Sequence, residues 1–540
     1  MIAAARAALD TSTPRTTARN SATVAGWGLV SRAIGLLRVV VIGAVLGPTS
    51  FANAFQASYV VPHLVFILIA GPVLTMVLVP GVVRAVSVDG VARGREVLGG
   101  VTGWLLAVSA AVATLLMILS PVVAWTLTFG IPDQASRTRG LWLTALLILL
   151  IAPQILLYAL LHLAMAAQQA RGRYALAAAA PTVEGVILIL AVMVVRWHYG
   201  TGLDTKHVPV EMVIALGAAS TAAVAVHTAL QLFGAARVGL LSRPSMRWRY
   251  DPDVRAVTRR LVRSLGVAGW PAAAMYVQST LAGTVPGGVF VVQLSYSVLY
   301  SLSSISARAV SMAALPGLAQ AAHHKDGATF GSVWRRGLSY AVIASLPLLV
   351  LLAMNSTSAA NVLANGQLRH AALIGALATC LGVVAVAQLV RGMYDIGLQA
   401  LFARLDDRIP RRASELAFGV ILVAAAAALL LPADGSRLIW LVVAMLASEL
   451  AAAGTVLIRL RKAIRPEQFL EPRALAAALV ATVALVPVAA TMWWLTHIDT
   501  DRLADVTLLT LGAAVALGIY VLVLRAAVRR LGPAAHSHAG

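Results

Sequence analysis

Cysteine is almost missing from this 540-residue chain, where Cys380 stands alone. A lone thiol in an apolar segment excludes a disulfide framework, an iron–sulfur cluster and a cysteine-based zinc site. Charge is scarce as well. Only 12% of the residues are Asp, Glu, Lys or Arg, against roughly a quarter in a soluble domain. Acidic residues are the rarer sign, 21 against 42 Lys and Arg, and the formal net charge is +21. Strand-type alternation is absent, which removes a membrane barrel. So are the phosphate-cradling Gly loop, the nucleophile elbow and the HExxH helix. His63, His162 and His227 are dispersed, and His536 and His538 sit in a C-terminal tail. No catalytic residue, cofactor or metal site is expected from this inventory. No nucleic-acid recognition module accompanies the basic excess, so nucleic acid is not an expected partner.

What fills the chain is apolar sequence. Hydrophobic residues make up 60% of it, and the mean hydropathy is +0.86. They fall in runs of about 20 residues or more, enough to cross a hydrocarbon core of roughly 30 Å. In lipid every backbone N–H and C=O must be satisfied internally, so such runs must be helical. The expectation is an all-α polytopic membrane protein with about fourteen transmembrane helices. The spans run approximately over 22–46, 60–86, 99–127, 141–168, 175–196, 210–236, 258–283, 288–321, 334–354, 370–402, 412–432, 438–460, 473–496 and 504–527.

The basic residues test that count, because cytoplasmic loops concentrate Lys and Arg. Alternate loops do hold them: Arg84, Arg93 and Arg95; Arg171 and Arg173; the cluster from Arg237 to Arg263; Lys325, Arg335 and Arg336; Arg404 to Arg412; and Arg459 to Arg465. The intervening loops carry mostly single cations such as Lys206, Arg437 and Arg502, with Arg137 and Arg139 together. The alternation places both termini in the cytoplasm and the chain in the bacterial cytoplasmic membrane, with membrane lipids as partners. Residues 1–20 read as a mobile cytoplasmic tail without the apolar core of a signal peptide, and 531–540 as a second tail. A faint repeat relates Thr75–Gly81 to Ser311–Gly317, both ending in Pro-Gly. Parallel repeats of this kind place a binding cavity between two bundles; Pro-Gly also simply ends many helices.

A few charges interrupt the apolar runs. Arg32 and Arg38 lie in the first helix, Arg32 roughly 15 Å in and Arg38 deeper. An Arg near the bilayer centre costs at least about 2.5–3.5 kcal/mol. That is tolerable facing a wet cavity that receives anions, since guanidinium suits bidentate phosphate contact, or in an ion pair with a carboxylate of another helix. Arg308 lies in the eighth helix at a depth similar to Arg32. Arg391 and Asp395 stand at i, i+4 in the tenth and can neutralise each other. Glu184 and Glu449 are isolated membrane carboxylates, each a candidate proton or sodium site or an arginine's partner.

Arg32-x-x-Gly35-x-x-Arg38, then Gly47, Ala54-Phe55, Pro62 and Pro80, resemble the opening of the MurJ/MviN family. These are lipid II flippases of the oligosaccharidyl-lipid/multidrug exporter superfamily. The resemblance continues at Pro153, Gly172-Arg173-Tyr174-Ala175, Ala180-Pro181, Ala314-Leu315-Pro316 and Leu401-Phe402-Ala403-Arg404-Leu405-Asp406 with Pro410. It covers most of the chain in order. It implies two six-helix lobes around a central cationic cavity, 21–240 and 241–465, plus two further helices within 466–530. The cavity would hold the diphosphate and sugar of a polyprenyl-linked glycan precursor. Arg32 and Arg38 match two arginines that the family needs. Elsewhere this chain departs: Asn53 stands at an acidic position, Phe66 at an arginine, Gly71-Pro72 at an acidic-Gly pair, and Ser297 at the arginine of helix eight. Arg308, eleven residues on, is about 20° off the helical face of Ser297 and can replace that charge. Arg32, Arg38, Asn53, Ser297 and Arg308 are therefore the expected headgroup site. Glu184, Arg391, Asp395 and Glu449 are the expected coupling or ion-pair residues.

The resemblance implies a flippase working by alternating access in peptidoglycan or related cell-wall synthesis. Two other functions fit the same residues. One is an ion-coupled exporter of amphipathic small molecules. The other is a transport-inactive scaffold that docks cell-wall biosynthesis proteins through its Arg-rich loops.

Overall fold

The computed structural model describes residues 14–69, 71–263, 265–465, 469–498 and 502–531. Every regular element among them is a helix. Residues 1–13 of the expected N-terminal tail, and the C-terminal tail with His536 and His538, lie outside the described residues. The remainder of the first tail is corrected: α1 spans Pro14–Leu46, so residues 14–20 are helical. Proline suits a helix start, where its missing N–H has no intrahelical partner to lose.

The described chain divides into two compact units, with the boundary between Phe290 and Val291. The first contains α1, then α2 (Ser50–Ile69), α3 (Gly71–Ile118), α4 (Ser120–Thr128), α5 (Gln134–Ile151), α6 (Gln154–Ala170), α7 (Ala175–Tyr199), α8 (Val210–Arg237), α9 (Pro252–Arg263) and α10 (Leu265–Ala282). Helix α11 (Gly288–Ile305) crosses the boundary. The second unit continues with α12 (Ala307–His323), α13 (Gly327–Met354), α14 (Ser356–Leu363), α15 (Ala371–Ala403), α16 (Arg408–Ala428), α17 (Gly435–Ile464), α18 (Pro472–Val483), α19 (Val486–Ile498) and α20 (Arg502–Leu531).

Among the described residues twelve helices are long and apolar enough to cross a membrane, where about fourteen were expected. Two more, α10 and α16, stand in the places of the expected seventh and eleventh spans. The first two turns of α16 carry Arg408, Arg411, Arg412 and Glu415. Largely exposed apolar side chains include Trp142, Trp197, Leu430 and Val423, the apolar exterior that a lipid-facing surface requires.

Local chemistry moves several helix boundaries. The second span begins at Ser50, about ten residues before its expected start, because Gly47 at φ 75° turns the chain and Thr49 Oγ1 accepts from the Ala52 N–H at 3.1 Å. Helix α3 joins the ends of two spans across Gly90, at φ 84° and ψ 176°, a backbone shape open to glycine alone. The expected eighth span is broken at Ser306, with φ −105° and ψ −101°. In the preceding turns Ser304 Oγ donates to the Ser301 carbonyl at 2.6 Å, and Ser306 Oγ to that of Leu302 at 2.8 Å. Such back-bonding competes with the helical ladder and bends it.

Within each unit small residues let helix backbones approach. A Cβ on Gly185 of α7 would meet Ile34 of α1 at 2.6 Å, and one on Gly397 of α15 would meet Val456 of α17 at 2.5 Å. In the second unit α18, α19 and α20 cover α13 through Ile343, Leu351, Ala478, Leu485, Met492 and Tyr520. The Tyr520 hydroxyl donates to the Ile343 carbonyl at 2.7 Å.

Candidate functional site

In the first unit Arg38, the deeper arginine of α1, points its guanidinium at α2. Its Nη1 donates to the Tyr59 hydroxyl at 2.8 Å, and its Cζ lies 4.8 Å from the centre of that ring. Tyr59 passes the bond on, its hydroxyl donating to Glu184 Oε1 of α7 at 3.0 Å. The direct Arg38–Glu184 approach is looser, 3.9 Å. On the other oxygen of Glu184 sits His227 of α8, with Nδ1 at 2.8 Å. Gln231 Nε2 faces His227 Nε2 at 3.5 Å, and Gln168 Nε2 of α6 donates to Gln231 Oε1 at 2.7 Å. Polar groups from five helices thus form one connected chain, held where the helical packing is apolar.

Two features of this cluster matter for chemistry. The first is depth. Counted from the Arg-rich end of each span at about 1.5 Å per residue, Arg38, Glu184 and His227 lie roughly 18, 14 and 15 Å in. The second is incomplete satisfaction of Arg38. A guanidinium carries five N–H donors, yet among the described residues Tyr59 is its one hydrogen-bond partner, and its enclosed Nε has none. The side chain retains 21% exposure. An arginine placed this way has donors left for an anion.

Phe66, which stands where an arginine was anticipated by resemblance, is fully buried one wall away. Its ring lies 4.6 Å from His162 and 6.1 Å from Tyr158, and His63 meets Tyr158 edge-on at 5.3 Å. The position has become part of an aromatic seam between α2 and α6. Asn53 has likewise become a structural clasp. Its Nδ2 donates to the carbonyls of Gly283 and Val285 at 3.3 and 2.7 Å, and its Oδ1 accepts from the Val289 N–H at 3.2 Å. Both ends of its amide are committed to the turn between α10 and α11. Arg32 is half-buried, six residues before Arg38 on α1.

The second unit holds its own buried charge. Arg391 of α15 reaches Glu449 of α17 at 3.0 Å and Asp395, one turn along, at 3.3 Å. Tyr300 of α11 and Tyr394 flank the guanidinium at 5.3 and 5.2 Å, and Ser303 donates to Asp395 Oδ2 at 3.4 Å. The expected pairing of Arg391 with Asp395 is present, and Glu449 joins it. The triad has two carboxylates for one guanidinium. Ser297 is half-buried on α11, and Arg308 is exposed in the first turn of α12, just past the break at Ser306.

Sequence reasoning did not find Tyr59, Tyr300 and Tyr394, and it passed over His227 for want of ligand spacing. Only its contact with a buried arginine marks each of these tyrosine rings out, and tyrosine in a membrane span is ordinarily an interface residue.

The family model for the lipid II flippase MurJ matches residues 42–513. The chain belongs to the MurJ family. A probable lipid II flippase MurJ from Synechocystis is 23% identical over 336 residues, 60% of this chain and 60% of that relative's length. Among solved structures, an inward closed lipid II flippase MurJ superposes with a TM-score of 0.69 at 13% identity, covering 94% of this chain and 99% of the other. An inward-facing multidrug-resistance transporter of the MATE family, in the MOP superfamily, follows at 0.60 and 12% identity, covering 81% and 94%. The bent form of the Vibrio cholerae MATE transporter VcmN gives 0.52 at 14%, covering 83% and 98%. At such identities the structural likeness establishes the fold alone, a multi-pass helical one.

Proposed function

We propose that this MurJ-family chain flips a polyprenyl-diphosphate-linked glycan, lipid II or a close relative, from the cytoplasmic to the outer leaflet by alternating access. The observation that carries the reading is Arg38: a guanidinium at mid-membrane depth, oriented by Tyr59 and left with unused donors. A permanent positive charge at that depth is costly, and an arriving diphosphate repays it through charge-assisted hydrogen bonds. Arg32 adds charge to the same helix, and Ser297 and Arg308 are proposed headgroup residues as well. Placement in the bacterial cytoplasmic membrane, with both termini inside, and association with cell-wall biosynthesis proteins belong to the same proposal.

The test is headgroup translocation by the purified protein in proteoliposomes. Arg38→Gln should lower the rate at least tenfold, since a hydrogen bond to a charged group is worth about 1.5–3 kcal/mol. Because it also strands the buried Glu184 carboxylate, Arg38→Gln/Glu184→Gln, which removes both charges, is the variant expected to melt near the parent and still fail to flip. Unchanged flipping by an Arg32→Gln/Arg38→Gln double variant defeats the reading.

One observation favours a second reading, ion-coupled export of amphipathic small molecules. The Arg391–Asp395–Glu449 triad carries a surplus negative charge that a cation would balance. Efflux that needs Glu449 and is indifferent to Arg38→Gln would select that reading.

A further inference from the structure

The hydrogen-bonded chain around Arg38 has a charge balance that cargo must disturb. Without cargo, Arg38 and Glu184 cancel, and the cluster is neutral if His227 is neutral. The geometry fits a neutral ring: an Nδ1–H can donate to Glu184 at 2.8 Å, while Nε2 accepts from the Gln231 amide at 3.5 Å. A diphosphate that takes over the Arg38 guanidinium removes the counter-charge from Glu184. Glu184 is buried and its remaining oxygen contacts are Tyr59 and His227. An uncompensated carboxylate in that setting is strongly disfavoured.

We propose that Glu184 and His227 act as a proton-linked counter-charge, so that capture of an anionic headgroup by Arg38 is accompanied by uptake of one proton at His227. Glu184 and His227 are positioning residues here; neither touches the cargo. The proton comes from water and joins Nε2, which gives up its 3.5 Å contact with the Gln231 amide, and it converts the existing Nδ1–H to Glu184 contact into an ion pair. No covalent bond forms or breaks elsewhere. The inference rests on the flippase reading and deepens it by naming what travels with headgroup binding. By linkage the effect is reciprocal: protonation favours headgroup capture as headgroup capture favours protonation.

The other titratable groups facing this pair do not fill the role. Arg38 of α1 stays charged. On α2, Tyr59 bridges Arg38 and Glu184, and His63 lies edge-on to Tyr158. On α6, His162 Nδ1 is turned to the Tyr158 carbonyl at 2.9 Å with its ring against Phe66. On α8, Gln231 does not titrate. Among the three histidines only His227 already touches the carboxylate, and Tyr59, which also touches it, gains no positive charge on protonation, so His227 alone gains a full ion pair.

The experiment is calorimetric binding of a short-chain prenyl diphosphate–N-acetylglucosamine to the full-length protein in lipid nanodiscs. As a diester, this probe does not itself titrate between about pH 6 and pH 8. Titrations in buffers of differing ionisation enthalpy count the protons exchanged. The expected result is uptake approaching one proton per probe, with affinity rising up to about tenfold for each unit of pH decrease. His227→Gln should retain binding and lose both the uptake and the pH slope. Glu184→Gln should also flatten the slope without weakening binding, since it removes the competitor for Arg38; it serves if His227→Gln folds poorly. Binding by the parent protein without proton uptake overturns this proposal and leaves the flippase reading standing. A pH slope that survives both substitutions also overturns it. No binding by the parent at any pH overturns the two together.

Discussion

Tyr59 joins two charges that are too far apart to hydrogen-bond directly. Its hydroxyl accepts from Arg38 at 2.8 Å and donates to Glu184 at 3.0 Å, across a 3.9 Å gap between the ions. Tyr59→Phe keeps the ring under the guanidinium and removes only the relay. It should destabilise by about 1–3 kcal/mol, the penalty for buried groups losing a partner, and slow flipping, with melting and translocation as the readouts. Arg391 offers the opposite experiment. Arg391→Gln strands Asp395 and Glu449 in a buried site, and breaking such a group from one side costs about 3–5 kcal/mol. Adding Asp395→Asn and Glu449→Gln should recover most of the lost melting temperature, because the uncompensated charges go with the arginine. Asn53→Ala belongs with these. It takes away the Asn53 bonds to the Gly283 carbonyl and the Val289 N–H and one of the two bonds to the Val285 carbonyl, which keeps the Gly288 N–H at 2.8 Å, so a loss of about 1–3 kcal/mol in unfolding is expected.

Between elements, α3 and α9 are joined by ions beside the apolar seating of Val254 on Gly100 and Val257 on Gly81. Arg93 holds Asp251 through two bonds of 2.8 and 3.1 Å and Asp253 at 2.7 Å, while Arg247 reaches Glu96 at 3.0 Å. Burial alone would raise the Asp251 carboxyl. The Arg93 hydrogen bonds and charge, with the Val254 and Asp253 N–H groups, outweigh burial and hold it below the ordinary aspartate range. A depressed carboxylate stabilises fully above its unfolded value and loses that contribution as pH falls through the folded one. The α3–α9 tie should therefore be intact at neutral pH and release only in acid, below about pH 4. Trypsin cleavage at Arg255 and Arg259 measures it: slow at neutral pH in the parent protein, and fast in Asp251→Asn.

At the scale of the whole molecule, each unit encloses one arginine stacked on a tyrosine and tied to a carboxylate of another helix, Arg38 with Tyr59 and Glu184, Arg391 with Tyr300 and Glu449. The first cluster balances its charge and the second carries one carboxylate in excess. The lone Cys380 makes the proposed orientation simple to measure. In a Cys380→Ala background, Lys206→Cys should react with an impermeant maleimide in intact cells, and Arg461→Cys only after permeabilisation. Reversed labelling would invert the topology drawn from the loop arginines.

Composition and run length were enough to establish helices crossing a membrane, because the match between about 20 apolar residues and the hydrocarbon thickness is local along the chain. The ordered motifs from Arg32 to Pro410 carried the family, and the depth of Arg38 marked it as unusual. Helix breaks were harder to read. Ser306 interrupts a continuous apolar pattern through side chains bonding back to their own ladder, a competition that hydropathy does not record. The partners of Arg38 were out of reach altogether. Tyr59 is 21 residues away, Glu184 is 125 residues from Tyr59, and His227 is 43 beyond Glu184. Which faces of α1, α2, α7 and α8 meet is set by close approaches such as Gly185 on Ile34, so only tertiary packing could turn four scattered polar residues into one hydrogen-bonded cluster, and make Asn53 a clasp and Phe66 part of an aromatic seam.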